Sequence, residues 1–484
     1  MGGVDVLVGR KREKEMLMRY YESGDAEFLV LFGRRRVGKT YLIRQYFKDD
    51  FYFYATGVAP DENDKTSLHM NLERFGNSLS QYGIGKNATP VTWMEAFDLL
   101  REGILKTGSN EKKVIFLDEM PWMDTPRSSF IKALEYFWNN FASARTDILL
   151  IVCGSSSTWI TKKVLNNKGG LHNRITGKIL LQPFTLSECE EYFRSLDVVI
   201  DRRDIAEAYM IFGGVPYYMK YWDARYSLPQ NIDRIVFYDN APLKNEFTNL
   251  YASLFSNSSQ YMEVIKALSS SNKGLSRDEL IKTTGMTDGG TFSEILQNLT
   301  TSGFIKYYAR FPDNIRTGLY QLIDNFSLFY QAFVEKNIGQ NEHFWSDLHE
   351  TPRLNAWRGY AFERLCLKHI DQIKWALGIG GISAEVFSWR SKNSDPGAQI
   401  DLIIKRADRI INLCEMKFAK YEFEIKKDYA EKLHNKKYTF GKETGASTIH
   451  LTFVTTYGVK KNAYSNMVQS EVILDDLFTT KTRK

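Results

Sequence analysis

The chain has 484 residues, of which 43% are apolar and 25% charged, the proportions of a packed globular protein, which exclude disordered, collagen-like and low-complexity chains. Its 64 Lys+Arg against 58 Asp+Glu leave a net charge of +6, too mild at this length either to demand or to exclude a nucleic-acid partner. At roughly 150 residues per domain, the length predicts about three domains. The four cysteines, Cys153, Cys189, Cys366 and Cys414, are far apart and no pair has zinc-ligand spacing, so a reducing, cytoplasmic setting is expected. Residues 1–8 lack the apolar stretch of a signal peptide. The longest apolar run, Ile148 to Cys153, is far too short to cross a bilayer, so no membrane partner is expected.

Over residues 1–185, short continuous apolar runs alternate with longer polar-periodic stretches. The runs are Phe28 to Phe32, Phe51 to Ala55, Val114 to Leu117, Ile148 to Cys153 and Ile179 to Leu181. Continuous runs suit strands covered on both faces by crossover helices, which predicts an α/β core with a parallel sheet. Residues 186–255 read as helical, broken at Gly213-Gly-Val-Pro216, and fit a lid on that core. In 256–340, three short helices end near Gly303, and Phe304 to Tyr308 and Gly318 to Leu322 read as a hairpin. Three helices and a hairpin form the winged-helix layout. The third helix contains no Lys or Arg; Lys306, with Arg310 and Arg316 on the wing, supplies the nearby charge. DNA binding and a packing or coupling role both remain open for this module. From 341 to 484 a helix, Arg353 to Ile370, precedes strands at Ile400 to Ile404, Ile410 to Lys417 and Thr448 to Thr455.

The residues Gly33, Arg34, Arg35, Arg36, Val37, Gly38, Lys39 and Thr40 fit the GxxxxGK[ST] phosphate loop, directly after an apolar strand and opening a helix. Glycines let successive backbone N–H groups face phosphate oxygens, and the helix N-terminus adds partial positive charge. Lys39 is expected to bridge the β- and γ-phosphates of ATP, and Thr40 to ligate Mg²⁺. At the end of the run Val114 to Leu117, Asp118 suits a Mg²⁺ contact and Glu119 suits a base that polarises water, implying hydrolysis. Ser155 is a candidate γ-phosphate or water contact, or belongs to a helix cap. Arg174, before the fifth run, is either an arginine finger or a surface arginine.

Gly9-Arg10, the phosphate loop, Asp118-Glu-Met-Pro-Trp122, Gly154-Ser155-Ser156, Asn173-Arg174 and Gly213-Gly-Val-Pro216 resemble the archaeal-type ATPases of the STAND branch of AAA+-like P-loop NTPases, over about residues 4–255. The resemblance implies an additional-strand, conserved-glutamate core with a helical lid, working as an ATP-driven switch or oligomeric motor. It places Gly9 and Arg10 near the adenine and Pro216 at the lid's nucleotide-sensing turn. It makes Arg174 a finger, in cis or reaching a neighbouring copy in a homo-oligomer.

A second constellation lies near the C-terminus. If a three-residue turn, 407–409, joins two antiparallel strands, Arg406 pairs with Ile410 and Asp401 falls opposite Glu415, with Lys417 on the same strand face. Two carboxylates and a lysine suit metal-assisted phosphodiester cleavage: Asp401 and Glu415 would hold Mg²⁺ or Mn²⁺, and Lys417 would orient water. Glu363 shares a helical stripe with Leu367 and Ile370 and is a candidate outer metal contact. An ordinary cross-strand ion pair explains the same spacing. Arg358-Gly-Tyr-Ala-Phe-Glu363, Ile400-Asp401-Leu-Ile403 and Glu415-Met-Lys417 resemble the PD-(D/E)xK nuclease fold, a restriction-endonuclease-like α/β domain found fused to such ATPases. Ile400 stands where that family has proline. The whole reads as an ATPase coupled to a nuclease-like domain acting on DNA or other nucleic acid. The alternative is a signalling ATPase whose C-terminal parts bind a protein or DNA without cutting.

Overall fold

The computed structural model describes residues 7–59, 67–108, 111–155, 157–166, 169–171, 173–255, 257–271, 274–308, 318–337, 341–391 and 398–480. Arg310 and Arg316 lie outside the described residues. The chain divides into two compact units, Met1–Pro183 and Phe184–Lys484.

In the first unit the apolar runs become β1 (Glu27–Phe32), β2 (Phe53–Thr56), β3 (Lys113–Asp118), β4 (Ile148–Gly154) and β5 (Gly177–Leu180). They form one parallel sheet in the order β2-β3-β4-β1-β5. The strands are apolar throughout because successive side chains enter different cores. Phe28, Val30, Ile115, Leu117, Leu150 and Val152 pack with the helices Ser67–Gln81, Trp93–Lys106 and Phe130–Asn140. Leu29, Leu31, Val114, Phe116, Leu149 and Ile151 pack on the other face with Lys11–Tyr21 and Lys39–Phe47. The strand β4 stands between β1 and β3. At the amino-terminal edge, Asp147 is clamped by Lys113 Nζ at 2.7 Å and by Arg145 Nε and Nη2 at 2.7 Å each. Burial opposes its ionisation, but these hydrogen bonds prevail and hold its pKa at about 2. This clamp fixes the starts of β3 and β4.

The second unit opens with two capped helices. Leu186–Ser195 starts at a Thr185–Glu188 capping box, and Asp201 caps Arg202–Phe212. Three helices, Ser258–Ser269, Arg277–Thr284 and Gly290–Thr301, precede the antiparallel hairpin β6 (Ile305–Tyr308) and β7 (Leu319–Leu322). After the long helix Pro352–Lys368 comes a mixed sheet of β8 (Ala384–Arg390), β9 (Gln399–Arg406), β10 (Ile411–Lys417), β11 (Ile449–Thr455) and β12 (Ser470–Ile473). The strands β8, β9 and β10 are antiparallel, and β11 and β12 run parallel to β10. The helix Lys427–Thr444 connects β10 to β11. One core runs from Phe212 and Tyr218 through Phe304, Phe329 and Trp345 to Phe362, Cys414 and Val472, so the helical segments and one face of the mixed sheet share buried surface. Phe440 and Leu433 of the connecting helix join smaller clusters with Ile403 and Phe453.

A buried histidine ties this unit together. His369 is 1% exposed; its Nε2 accepts from the Leu186 N–H at 3.1 Å, and its Nδ1 donates to the Leu365 carbonyl at 2.8 Å. Only the neutral ring can make both bonds. Burial, helped by Lys368, pushes its pKa from 6.5 down to about 4. A folded-state pKa below the unfolded one gives stability that is present above pH 6.5 and lost as pH falls towards 4. The expected loss is about 3 kcal/mol over that window. Urea unfolding at pH 7.5 and 4.5 checks this: His369→Gln should show a distinctly smaller pH-dependent loss than wild type. Equal losses in both would remove the assigned role.

Candidate functional site

The phosphate loop lies at the carboxyl edge of the first unit's sheet, between β1 and the helix Lys39–Phe47. Gly33 has φ 145°, and a Cβ there would meet the Leu181 carbonyl oxygen at 2.3 Å, so only glycine fits. Gly38, at φ 90°, opens the helix without a side-chain cap, and an uncapped helix N-terminus suits an anion. Lys39 is 6% exposed, and its ammonium donates to the Gly33 and Arg34 carbonyls at 3.1 and 3.0 Å. Burial lowers its pKa; Cys153, Glu119 and Asp118 partly offset this. Arg34 is buried beside it, while Arg35 and Arg36 are half-buried. Arg10 pins the loop from behind, donating to the Val37 carbonyl at 3.0 Å and to that of Gln182 at 2.7 Å; Gly9 precedes it at φ 62°.

The acidic pair at the end of β3 meets this loop. Thr40 Oγ1 donates to Asp118 Oδ2 at 2.6 Å, joining residues 78 apart in sequence. Glu119 has φ 45°, a conformation costly for a residue with a Cβ. Its Oε2 accepts from the Ser155 N–H at 3.2 Å and from the Ser155 hydroxyl at 2.9 Å. Ser155 thus holds the Glu119 carboxylate, a role the sequence reading does not foresee. Cys153 is a further addition: its thiol is buried, and burial, then the Asp118 charge, raises its pKa. Its side chain enters the site only because β4 lies next to β3, a fact of strand order.

Arg174 stands apart from this cluster. Arg174 is exposed and precedes β5. Thr176 already pairs with Phe28, at the start of β1, so Arg174 lies at the amino-terminal edge of the parallel sheet, opposite the phosphate loop. About five residues of extended β1, roughly 16 Å, separate the two levels, beyond an arginine's reach. Pro216 belongs to the second unit, where it starts the short helix Pro216–Met219. There the Gly214 carbonyl accepts from the Phe184 N–H at 2.7 Å.

In the C-terminal sheet, the ladder runs from Ile411↔Lys405 to Cys414↔Leu402, the register that sets Glu415 across from Asp401. The backbone of Asp401 lies on β9; its side chain is outside what the structure describes. Glu415 is 7% exposed and heavily engaged. It accepts from the Tyr429 hydroxyl at 2.9 Å, is bonded by Lys436, and has Lys417 Nζ at 3.7 Å. Burial, then the charge of Glu415, pushes the Tyr429 phenol up. Glu363 is half-buried. The helix ends at Lys368, and Ile370 begins a separate one, so the expected Glu363–Leu367–Ile370 stripe is interrupted. Tyr429 and Lys436 escape the sequence reading, although their seven-residue spacing puts both on one face of Lys427–Thr444. Among the described residues no three Asp, Glu, His or Cys side chains are grouped to hold a metal. Arg358, part of the nuclease-like motif, is instead buried against Glu207, with Nη2 and Nε at 2.6 and 3.1 Å from Oε1.

The parallel sheet, phosphate loop and joined Thr40–Asp118 pair define a P-loop nucleotide site. Residues 7–222 match a family described as an ATPase domain predominantly from Archaea, so the chain carries an archaeal-type ATPase domain. An uncharacterized protein of Methanocaldococcus jannaschii is 24% identical over 410 residues, 82% of this chain and 84% of that protein. An uncharacterized ATP-binding protein of the same organism is 43% identical over 49 residues, 10% of this chain and 83% of that protein. Among solved structures, a Walker-type ATPase of Pyrococcus abyssi shares 16% identity at a TM-score of 0.46, covering 67% of this chain and 96% of the other. The Aeropyrum pernix ORC2 protein shares 14% at 0.42, covering 67% and 92%. Among the described residues no helix is long and apolar enough to cross a membrane.

Proposed function

We propose that the chain is an ATP-hydrolysing switch whose C-terminal α/β part acts on nucleic acid. The observation that carries the first half is the convergence of Lys39, Thr40–Asp118 and Ser155–Glu119 at one sheet edge. The site's donors fit Mg²⁺-ATP: a hydroxyl and a carboxylate are hard oxygen ligands, and uncapped helix N–H groups with a buried ammonium suit phosphate. Bound there, Mg²⁺ would neutralise charge on the phosphate oxygens during transfer. Thr40 and Asp118 would hold the metal. Lys39 would leave its loop carbonyls for the β- and γ-phosphates. Glu119, oriented by Ser155, would take the proton of the attacking water. Arg174 would serve a neighbouring copy, since its own loop is at the other edge; this implies a homo-oligomer. Gly9 and Arg10 would flank the adenine, and Pro216 would sense nucleotide from the lid.

For the second half, the order helix, β8, β9, β10, helix, β11 supports the PD-(D/E)xK reading. So does the register that sets Asp401 across from Glu415, with Lys417 beside Glu415. These residues would hold Mg²⁺ or Mn²⁺ and cleave a phosphodiester. The three helices with their hairpin would serve as a winged helix presenting DNA or coupling the parts. One observation favours binding without cleavage: Lys436, Lys417 and Tyr429 already occupy the Glu415 carboxylate. Assays of Mg²⁺- and Mn²⁺-dependent cleavage of DNA and RNA decide between them. Asp401→Ala should abolish cleavage by removing a metal ligand. Cleavage that survives the substitution rejects this site, and a wild-type protein inert on every substrate selects the binding reading.

A further inference from the structure

A pocket of about 290 Å³ opens in the second unit, and none of the Glu415 cluster lines it. Its walls come from the helices Ser258–Ser269 and Pro352–Lys368 and from the helical segments Asn325–Phe329 and Tyr330–Val334. Three cations line it, Lys266, Lys336 and Arg364, against one carboxylate, Glu335. Lys266 pairs with Glu335 at 3.3 Å, so a positive excess remains. Arg364 is 3% exposed, and its Nε donates to the Leu322 carbonyl at 3.1 Å, which fixes the guanidinium in the wall. Lys336 is exposed and makes no ion pair among the described residues.

The same pocket has an aromatic side. Trp357 is held edge-on by Phe333 and Trp345, with ring centroids at 5.4 and 5.8 Å. Tyr360, one helical turn further along the same wall, is 44% exposed. Exposed tyrosine and anchored tryptophan offer a planar ring a surface to stack on, and fixed cations favour an anionic group on the same ligand. A simple anion would use only the cationic side, and an apolar ligand would leave the cations uncompensated.

We propose that this pocket binds a small phosphorylated ligand bearing a planar ring, of the mononucleotide class. The ring lies against Trp357 and Tyr360, and the phosphate turns to Lys266, Lys336 and Arg364. The helix Pro352–Lys368 that forms one wall also carries Glu363, and Met210 of the lid helix Arg202–Phe212 closes another side. An occupant therefore braces the lid helix against the helix that serves the C-terminal cluster, a site for a regulator separate from the phosphate loop.

The test is equilibrium dialysis of AMP with the full chain carrying Lys39→Ala, which disables the phosphate loop. Saturable one-site binding is expected, with adenosine and inorganic phosphate each bound more weakly. Adding Lys336→Glu or Tyr360→Ala, both at exposed positions, should weaken AMP binding about tenfold or more. Unchanged thermal unfolding of these variants separates lost contacts from lost fold. No saturable AMP binding, or binding untouched by both substitutions, overturns the proposal. Inorganic phosphate bound as tightly as AMP overturns its planar-ring half.

Discussion

Glu119→Gln should lower ATP turnover by about 10²–10⁴-fold while leaving ATP binding nearly intact. The amide keeps the size of the carboxylate and can still accept from the Ser155 N–H and hydroxyl, which bond Glu119 at 3.2 and 2.9 Å. What it loses is the capacity to take a proton from water at neutral pH. Lys39→Ala should behave differently. It removes the buried ammonium that sits 3.1 and 3.0 Å from the loop carbonyls, and so the charge that would meet the phosphates. Binding itself should then fail. Phosphate release, measured beside binding of a fluorescent ATP analogue, distinguishes the two. Turnover of Glu119→Gln within roughly tenfold of wild type would remove Glu119 from the role of general base.

Glu207→Ala should destabilise the second unit by about 3–5 kcal/mol, because it strands the Arg358 guanidinium, 3% exposed, without its counter-charge. Glu207 belongs to the helix Arg202–Phe212 and Arg358 to the helix that carries Glu363, so this pair locks the two together. Arg203 of the same helix stacks over Phe418, which follows Lys417, with its guanidinium 5.3 Å from the ring centroid. Replacing both partners, as Glu207→Leu with Arg358→Met, should recover most of the loss, since a buried ion pair is stabilising chiefly relative to its broken halves. Chemical denaturation followed by tryptophan fluorescence measures both. A single variant within about 1 kcal/mol of wild type would show that water reaches the pair and screens it.

The sequence by itself determined the parts whose chemistry is local. The phosphate loop is contiguous, so Gly33 to Thr40 were legible as a ligand site from residue types and spacing alone. The five buried strands were legible because a strand covered on both faces must be apolar throughout, and the parallel class followed from their alternation with helical stretches. The β9–β10 register was legible too, since a three-residue turn leaves one pairing for each flanking residue. The strands β8 and β12 were not foreseen: β12 spans only Ser470–Ile473, and β8 lies ahead of the recognised β9–β10 pair.

Only the tertiary structure decided the contacts that join distant segments. Strand order set Cys153 against Asp118 and brought Ser155 to Glu119. It also carried Arg174 to the far edge of the sheet, because β5 runs parallel to β1 and Arg174 precedes it. Packing turned Arg358 from a motif residue into a buried partner of Glu207 and brought Tyr429 and Lys436 onto Glu415. The division has a physical origin. A loop or turn is specified by the conformational limits of its own few residues. A buried charge is specified by whichever partner the folded chain can place beside it, and no spacing within one segment names that partner.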